Sequence, residues 1–179
     1  MSLLSYLELV DLVEKGVIDA PMENINSSSI DVTLGDTLLI EAKLPILIDL
    51  PEKKSAVFHE LVMTEEGYIV SPGEFFLATT RETFNLPNDI VAEFVLKSSQ
   101  ARNGMLHALA GYCDPGWHNS KLTMEFYNGL RYQSLRIKPG MKCGQVKFYR
   151  VSEVPQDKSY ATVGQYNNQQ SVQASKGIR

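Results

Sequence analysis

What the chain lacks narrows its identity first. Only two cysteines occur in 179 residues, Cys113 and Cys143, with no spacing that suits a zinc ribbon, a CxxC redox pair or a disulfide framework. A reducing compartment, the cytoplasm, is therefore expected. No segment approaches the roughly 18 continuous apolar residues of a membrane span. The opening MSLLSYLELVDLVEKG carries acids where a signal peptide carries bases, so no membrane partner is expected. Positive charge is also short: 17 Lys and Arg against 21 Asp and Glu leave a formal net charge of -4. That balance disfavours a surface that wraps nucleic acid, while one basic pocket for a free nucleotide stays compatible with it. Neither GxxxxGK[ST] nor GxGxxG is present, which excludes the two usual phosphate loops. The three histidines, His59, His107 and His118, are scattered, and no HxE precedes a PCxxC. That pattern disfavours a zinc-activated water of the usual nucleobase deaminase kind, and no protein-bound metal is expected.

What is present reads as a mostly β chain with a short N-terminal helix. The length suits one hydrophobic core, and no Gly- or Ser-rich linker divides the chain, so a single domain over residues 1–179 is expected. Ser5 followed by Glu8 forms a capping box ahead of Leu9, Leu12 and Val13 at helical spacing, and Gly16 ends that helix. Beyond it the helical period does not return. Short alternating runs take over: Ile30-Val32-Leu34, Ala92-Phe94-Leu96, Leu122-Met124-Phe126 and Val146-Phe148. Turn chemistry at Ser71-Pro72-Gly73, Leu86-Pro87-Asn88-Asp89, Asp114-Pro115-Gly116 and Lys138-Pro139-Gly140 punctuates them. Leu44, Ile46, Ile48 and Leu50 suggest one further strand before a loop at Lys53-Lys54-Ser55. Residues 155–179 are polar and poor in aliphatic side chains; they are either disordered or order over something polar.

Chemistry concentrates between Lys97 and Asn128, KSSQARNGMLHALAGYCDPGWHNSKLTMEFYN. In LTMEFYN a period of two places Leu122, Met124 and Phe126 on one face and Thr123, Glu125 and Tyr127 on the other. With the apolar triplet in a core, Glu125 meets either water or a pocket, and Tyr127 beside it could desolvate the carboxyl toward a useful general base. Asp114 in its DPG turn either accepts main-chain hydrogen bonds, as such aspartates ordinarily do, or holds a sugar or a water. Lys97, Ser98, Ser99 and Arg102 gather hydroxyl and cationic donors suited to phosphate oxygens, although polar strand-to-loop junctions share that composition.

Taken together, SSSIDVTLGD (27–36), SPGEFFLATTRETFNLPNDIVAEFVLKSSQARNG (71–104), DPGW, LTMEFYN, LRIKPGMKCGQVKFYR and GQYNNQQSVQAS closely resemble the dCTP deaminases, members of the trimeric dUTPase superfamily. The resemblance covers nearly the whole chain. It implies a dUTPase-like compact β fold, a homotrimer with active sites at subunit interfaces, and residues 155–179 as a segment that closes over the nucleotide. It implies hydrolysis of dCTP to dUTP and ammonia, with Glu125 as the catalytic residue that activates water and Arg102 and Ser98 assisting. Substrate contacts fall by the same matching on Lys97, Ser99, Ala110, Asp114, Tyr160, Gln165, Tyr166 and Gln169, with Mg2+ bound through the nucleotide phosphates. Lys97 stands where an arginine is usual, and Gln165 where a lysine is common. The Arg102–Asp114 segment is one residue shorter than in typical deaminases and the Asp114–Glu125 segment one longer, changes that flank the base pocket. Ala110-Gly111-Tyr112 resembles the turn of bifunctional members that also remove pyrophosphate. Three alternatives therefore accompany dCTP deamination: a bifunctional enzyme that takes dUTP on to dUMP, activity on a modified deoxycytidine triphosphate, and a catalytically silent nucleotide-binding regulator.

Overall fold

In the computed structural model, which describes residues 2–52 and 54–177, the capping box forms as the sequence dictates. Glu8 Oε2 accepts the Ser5 N–H at 2.9 Å and opens α1 (Tyr6–Glu14), and Gly16 follows with a φ of 69° that suits glycine. Leu9 and Leu12 bury the inner face of α1 against the sheet core.

The remaining elements are β1 (Ser2–Leu3), β2 (Ile30–Glu41), β3 (Phe58–Val62), β4 (Tyr68–Val70), β5 (Phe75–Phe84), β6 (Ile90–Leu96), α2 (Ser98–Arg102), β7 (Met105–His107), β8 (Tyr112–Cys113), β9 (Ser120–Asn128), β10 (Leu135–Ile137), β11 (Lys142–Arg150) and α3 (Tyr160–Val163). All strand pairs described are antiparallel. One sheet runs β7-β9-β5-β2-β11-β6-β8, with β1 added to β11 and β3 to β2, while β10 and β4 pair separately.

The long β2 curls this sheet. Its first residues pair with β11 and its later ones with β5 and β3, and the register with β5 shifts between Leu34 and Leu38. Gly35 sits in that shift because a Cβ there would lie 2.6 Å from Thr79 Oγ1. Glu82 satisfies the backbone that the bend frees: its carboxyl takes the Thr33 N–H at 2.9 Å and the Thr33 hydroxyl at 2.7 Å. Inside the curl, Phe76, Phe84, Phe126 and Phe148 join Ile30, Leu34 and Met124 in one buried cluster.

The mostly β reading and all four alternating runs correspond to strands. The run at Leu44–Leu50 does not. Residues 43–49 carry no strand, and the Leu44 and Ile46 N–H groups bond two residues back, to Ala42 and Leu44 carbonyls, in γ-turn fashion. Pro45 and Pro51 offer no N–H to a ladder, so the segment is an apolar ribbon outside the ladders, with Leu44, Ile46, Leu47 and Leu50 exposed. Helices α2 and α3 span five and four residues, too few to show a helical period in sequence.

Candidate active site

Glu125 stands on the floor of a cavity of about 490 Å³. Pairing of β5 with β9 sets Leu77 opposite Glu125 and Thr79 opposite Thr123, so these side chains share the face turned away from Met124 and Phe126. Phe75, Leu77 and Phe58 form an apolar wall, and the ribbon adds Ile48 and Leu50 above it. Asp114, Tyr160, Tyr166 and Gln169 supply polar groups to the lining, together with Ala110. The alternation in LTMEFYN thus aims Glu125 into a pocket. Tyr127, expected to desolvate it, is exposed and lies outside the cavity lining.

Desolvation comes from elsewhere. Burial raises the Glu125 carboxyl above the ordinary glutamate range. His107 Nε2 lies 3.6 Å from Glu125 Oε2, and the His107 side chain is 2% exposed. Its ring packs 4.7 Å from that of Phe94 and 5.7 Å from that of Phe126. Burial pushes the imidazole down to about 4, so it is neutral at pH 7. Asp114, at the rim, is raised by partial burial as well.

A folded pKa depressed from the ordinary 6.5 means that the unfolded chain binds a proton first as pH falls. Stability contributed by His107 is therefore complete above pH 6.5 and is lost down to about 4. The slope is at most about 1.4 kcal/mol per pH unit. Thermal unfolding of the parent and His107→Phe across that window should show a parent curve that steepens relative to the variant.

The polar C-terminal segment is ordered over its own chain, and its Asn and Gln side chains are the reason. Trp117 Nε1 donates to the Tyr166 carbonyl at 2.8 Å, and Asn167 Nδ2 to the Tyr160 carbonyl at 2.7 Å. Gln169 pairs with the start of β9: its carbonyl accepts the Lys121 N–H at 2.7 Å and its Nε2 donates to Thr123 Oγ1 at 2.6 Å. Ser159, fully buried, caps α3 by accepting the Ala161 N–H, and the Tyr160 N–H bonds the Pro115 carbonyl. The DPG turn and the tail are therefore one construction.

Gly116, with a φ of 85°, is its pivot, since a Cβ there would fall 2.0 Å from Ser159 Oγ. Gly116→Ala should lower stability by about 2 kcal/mol or more and speed proteolysis within residues 155–177. Thermal unfolding and limited digestion check this.

Ala110, Asp114, Glu125, Tyr160, Tyr166 and Gln169 thus meet around one cavity. Lys97, Ser98, Ser99, Arg102 and Gln165 do not line it. Ser98, Ser99 and Arg102 are exposed on α2. Lys97 Nζ reaches Asp31 Oδ1 at 2.6 Å, and Lys142 Nζ holds the other oxygen of that carboxylate at 3.1 Å. Burial alone would raise the Asp31 carboxyl, but Lys97, Asn26 and Lys142 outweigh it and hold it below the ordinary range. Gln165 meets the tail through its main chain, its carbonyl accepting Lys176 Nζ at 2.8 Å. Sequence reasoning weighed His107 as a metal ligand only and missed its place beside Glu125. The two are 18 positions apart, and only the pairing of His107 with Phe126 across β7 and β9 brings them together.

Among the described residues no helix is long and apolar enough to cross a membrane, and no three His, Cys, Asp or Glu side chains converge as a metal site. Comparison with known proteins points one way. A family model described as dCTP deaminase-like matches residues 3–151. The "dCTP deaminase, dUMP-forming" of Dictyoglomus thermophilum is 36% identical over 164 residues, covering 89% of this chain and 84% of that protein. The dCTP deaminase of Haloarcula marismortui is 34% identical over 181 residues, covering 97% and 91%. Among solved structures, the 2'-deoxycytidine 5'-triphosphate deaminase of Agrobacterium tumefaciens shares the fold, with a TM-score of 0.65 at 18% identity. That match covers 84% of this chain and 48% of that one, so the chain spans about half its length. With a family model matched over most of its length and relatives above 30% identity across nearly all of it, the chain belongs to the dCTP deaminase-like family.

Proposed function

We propose that this protein hydrolyses dCTP to dUTP and ammonia, with Glu125 as the general base and no zinc in the reaction. The observation that carries the reading is a buried carboxyl of raised basicity on the floor of a nucleotide-sized cavity, in a chain of this family. Glu125 takes a proton from water as the oxygen attacks C4 of the base. The tetrahedral adduct then receives that proton on the exocyclic nitrogen, the C4–N bond breaks, and ammonia leaves. Ala110 supports base recognition, because its N–H and carbonyl take no main-chain partner among the described residues and so stay available to a base edge. Asp114 and Tyr160 would hold the sugar, and Tyr166 and Gln169 would close the segment 155–179 over the substrate and exclude water.

The phosphate-binding half comes from a second copy of the chain. A triphosphate needs cations, yet Lys54 is the one Lys or Arg among the described residues lining the cavity, and it already pairs with Glu52 at 2.7 Å. Lys97, Ser98, Ser99 and Arg102 stand elsewhere on the same chain. A homotrimer in which α2 of one protomer faces the Glu125 cavity of the next would complete every site at once. Magnesium would ride on the phosphates, where it neutralises their charge, since the donor set around the cavity, Asp114 and Glu125 with phenols and amides, suits no protein cage. A cytoplasmic setting, where dCTP is available, fits this reading.

A second reading has support of its own. Several relatives carry the name "dCTP deaminase, dUMP-forming", and Asp114 at the cavity rim could orient a second water toward the phosphates. The bifunctional enzyme would carry dUTP on to dUMP and pyrophosphate. The apolar wall of Phe75, Leu77 and Phe58 next to Glu125 also suits a substituent at C5 of the base, favouring tolerance of a modified deoxycytidine triphosphate. A time course with magnesium and separate dCTP and dUTP substrates tests the reading. Ammonia with accumulating dUTP supports the deaminase alone, and ammonia with dUMP and pyrophosphate supports the bifunctional form. Tight nucleotide binding with neither product would leave the silent regulator.

A further inference from the structure

Three buried side-chain polar atoms have no hydrogen-bond partner among the described residues: His107 Nε2, Glu125 Oε2 and Gln169 Oε1. All three belong to residues at or beside the cavity, and the first two face each other. Buried polar atoms are ordinarily paired, so the convergence of three unpaired ones at one place calls for a use. We infer that His107 is a positioning residue for Glu125: its Nε2–H engages Oε2 and reserves Oε1 for the proton taken from water. This rests on the reading of Glu125 as the base.

The ring's tautomer follows from its other nitrogen. The Leu109 N–H donates to His107 Nδ1 at 3.2 Å, so Nδ1 is an acceptor and the neutral ring carries its proton on Nε2. Leu109 holds a φ of 60°, a conformation leucine seldom adopts, as the chain turns back toward the ring. Phe94 and Phe126 fix the ring plane. A second proton would cost the Leu109 bond and bury a charge among these apolar neighbours, so Nε2 is a donor only. The present 3.6 Å separation is about 0.7 Å beyond an ordinary hydrogen bond, a gap that a small rotation of the Glu125 side chain closes without nucleotide.

The chemical consequence is a division of labour within one carboxylate. Oε2 is the fully buried oxygen, so the carboxylate meets the cavity through Oε1. A neutral donor on Oε2 favours the ionised form and opposes the effect of burial, keeping a base available without supplying a competing proton. The other titratable groups bordering the cavity are Lys54, Tyr112, Cys113, Asp114, Tyr160 and Tyr166, while β5 and β6 present the uncharged Leu77 and Phe94 to the pair.

His107→Phe keeps a ring and removes the donor; His107→Gln restores an N–H near the Nε2 position. The Glu125 titration, read by carboxyl carbon NMR on nucleotide-free protein and assigned by its loss in Glu125→Gln, should move up by about one pH unit or more in His107→Phe. The acidic limb of the kcat profile should follow it, with KM within about twofold, and His107→Gln should return both toward the parent. An unmoved Glu125 titration in His107→Phe, or equal damage in both variants without a shift in the acidic limb, overturns the inference. Should His107→Phe fail to fold, His107→Gln decides: a parental midpoint supports the role, and one raised by about a unit contradicts it. Because the titration needs no substrate, a parent protein that releases no ammonia would overturn the deaminase reading alone.

Discussion

Replacing Glu125 with glutamine should cut ammonia release from dCTP by about 10²–10⁴-fold, the range that a positioned general base supplies. Gln is nearly isosteric, and the β9 backbone around residue 125 stays paired with Leu77 of β5. The fold and the cavity should therefore survive, and nucleotide affinity should hold within a few-fold. The loss falls on kcat because only proton transfer in the transition state disappears. Steady-state ammonia assays together with calorimetric nucleotide binding check both halves. Unchanged turnover would remove Glu125 from the chemistry, and a loss of binding alone would make it a substrate contact.

Equally large is the effect expected of Arg102→Ala, with a remedy that no single-chain site allows. Arg102 is exposed on α2 and lies outside the cavity that holds Glu125. If it serves a neighbouring protomer, the variant alone should lose about 10²-fold or more in kcat/KM, as removal of a charge-assisted phosphate contact implies. Co-expression of Arg102→Ala with Glu125→Gln should then restore activity. A site drawing Glu125 from one chain and Arg102 from the next is intact in about a quarter of random pairings. Recovery near that fraction supports the shared site, and mixed assemblies as inactive as either parent variant would place both residues on one chain.

What was legible in the sequence was local. The capping box of Ser5 and Glu8, the alternation of LTMEFYN and the DPG turn each follow from dihedral and period rules that act over a few residues, and each formed as read. The Leu44–Leu50 ribbon misled because its apolar alternation imitates a strand, while Pro45 and Pro51 withhold the N–H groups that a ladder requires. His107 was beyond sequence reach, since its meaning depends on which strand β7 pairs with and not on its neighbours in the chain. The tail stood between: its polar composition fits an ordered cover, but the partners of Asn167 and Gln169 are the Tyr160 carbonyl and backbone and hydroxyl groups of the Trp117–Thr123 stretch, which pattern alone does not single out. The separation of Lys97, Ser98, Ser99 and Arg102 from the cavity likewise emerges only in three dimensions, because proximity in sequence to Asp114 and Glu125 gives no proximity in the folded chain.

The central claim is that water, activated by Glu125, replaces the amino group at C4 of dCTP. Running the reaction in 18O-labelled water and reading the nucleotide product by mass spectrometry tests it directly. The account predicts one labelled oxygen on the pyrimidine ring for each ammonia released, with both falling together in Glu125→Gln. Label found solely on phosphate or pyrophosphate, without ammonia, would contradict it and leave a diphosphatase on this fold.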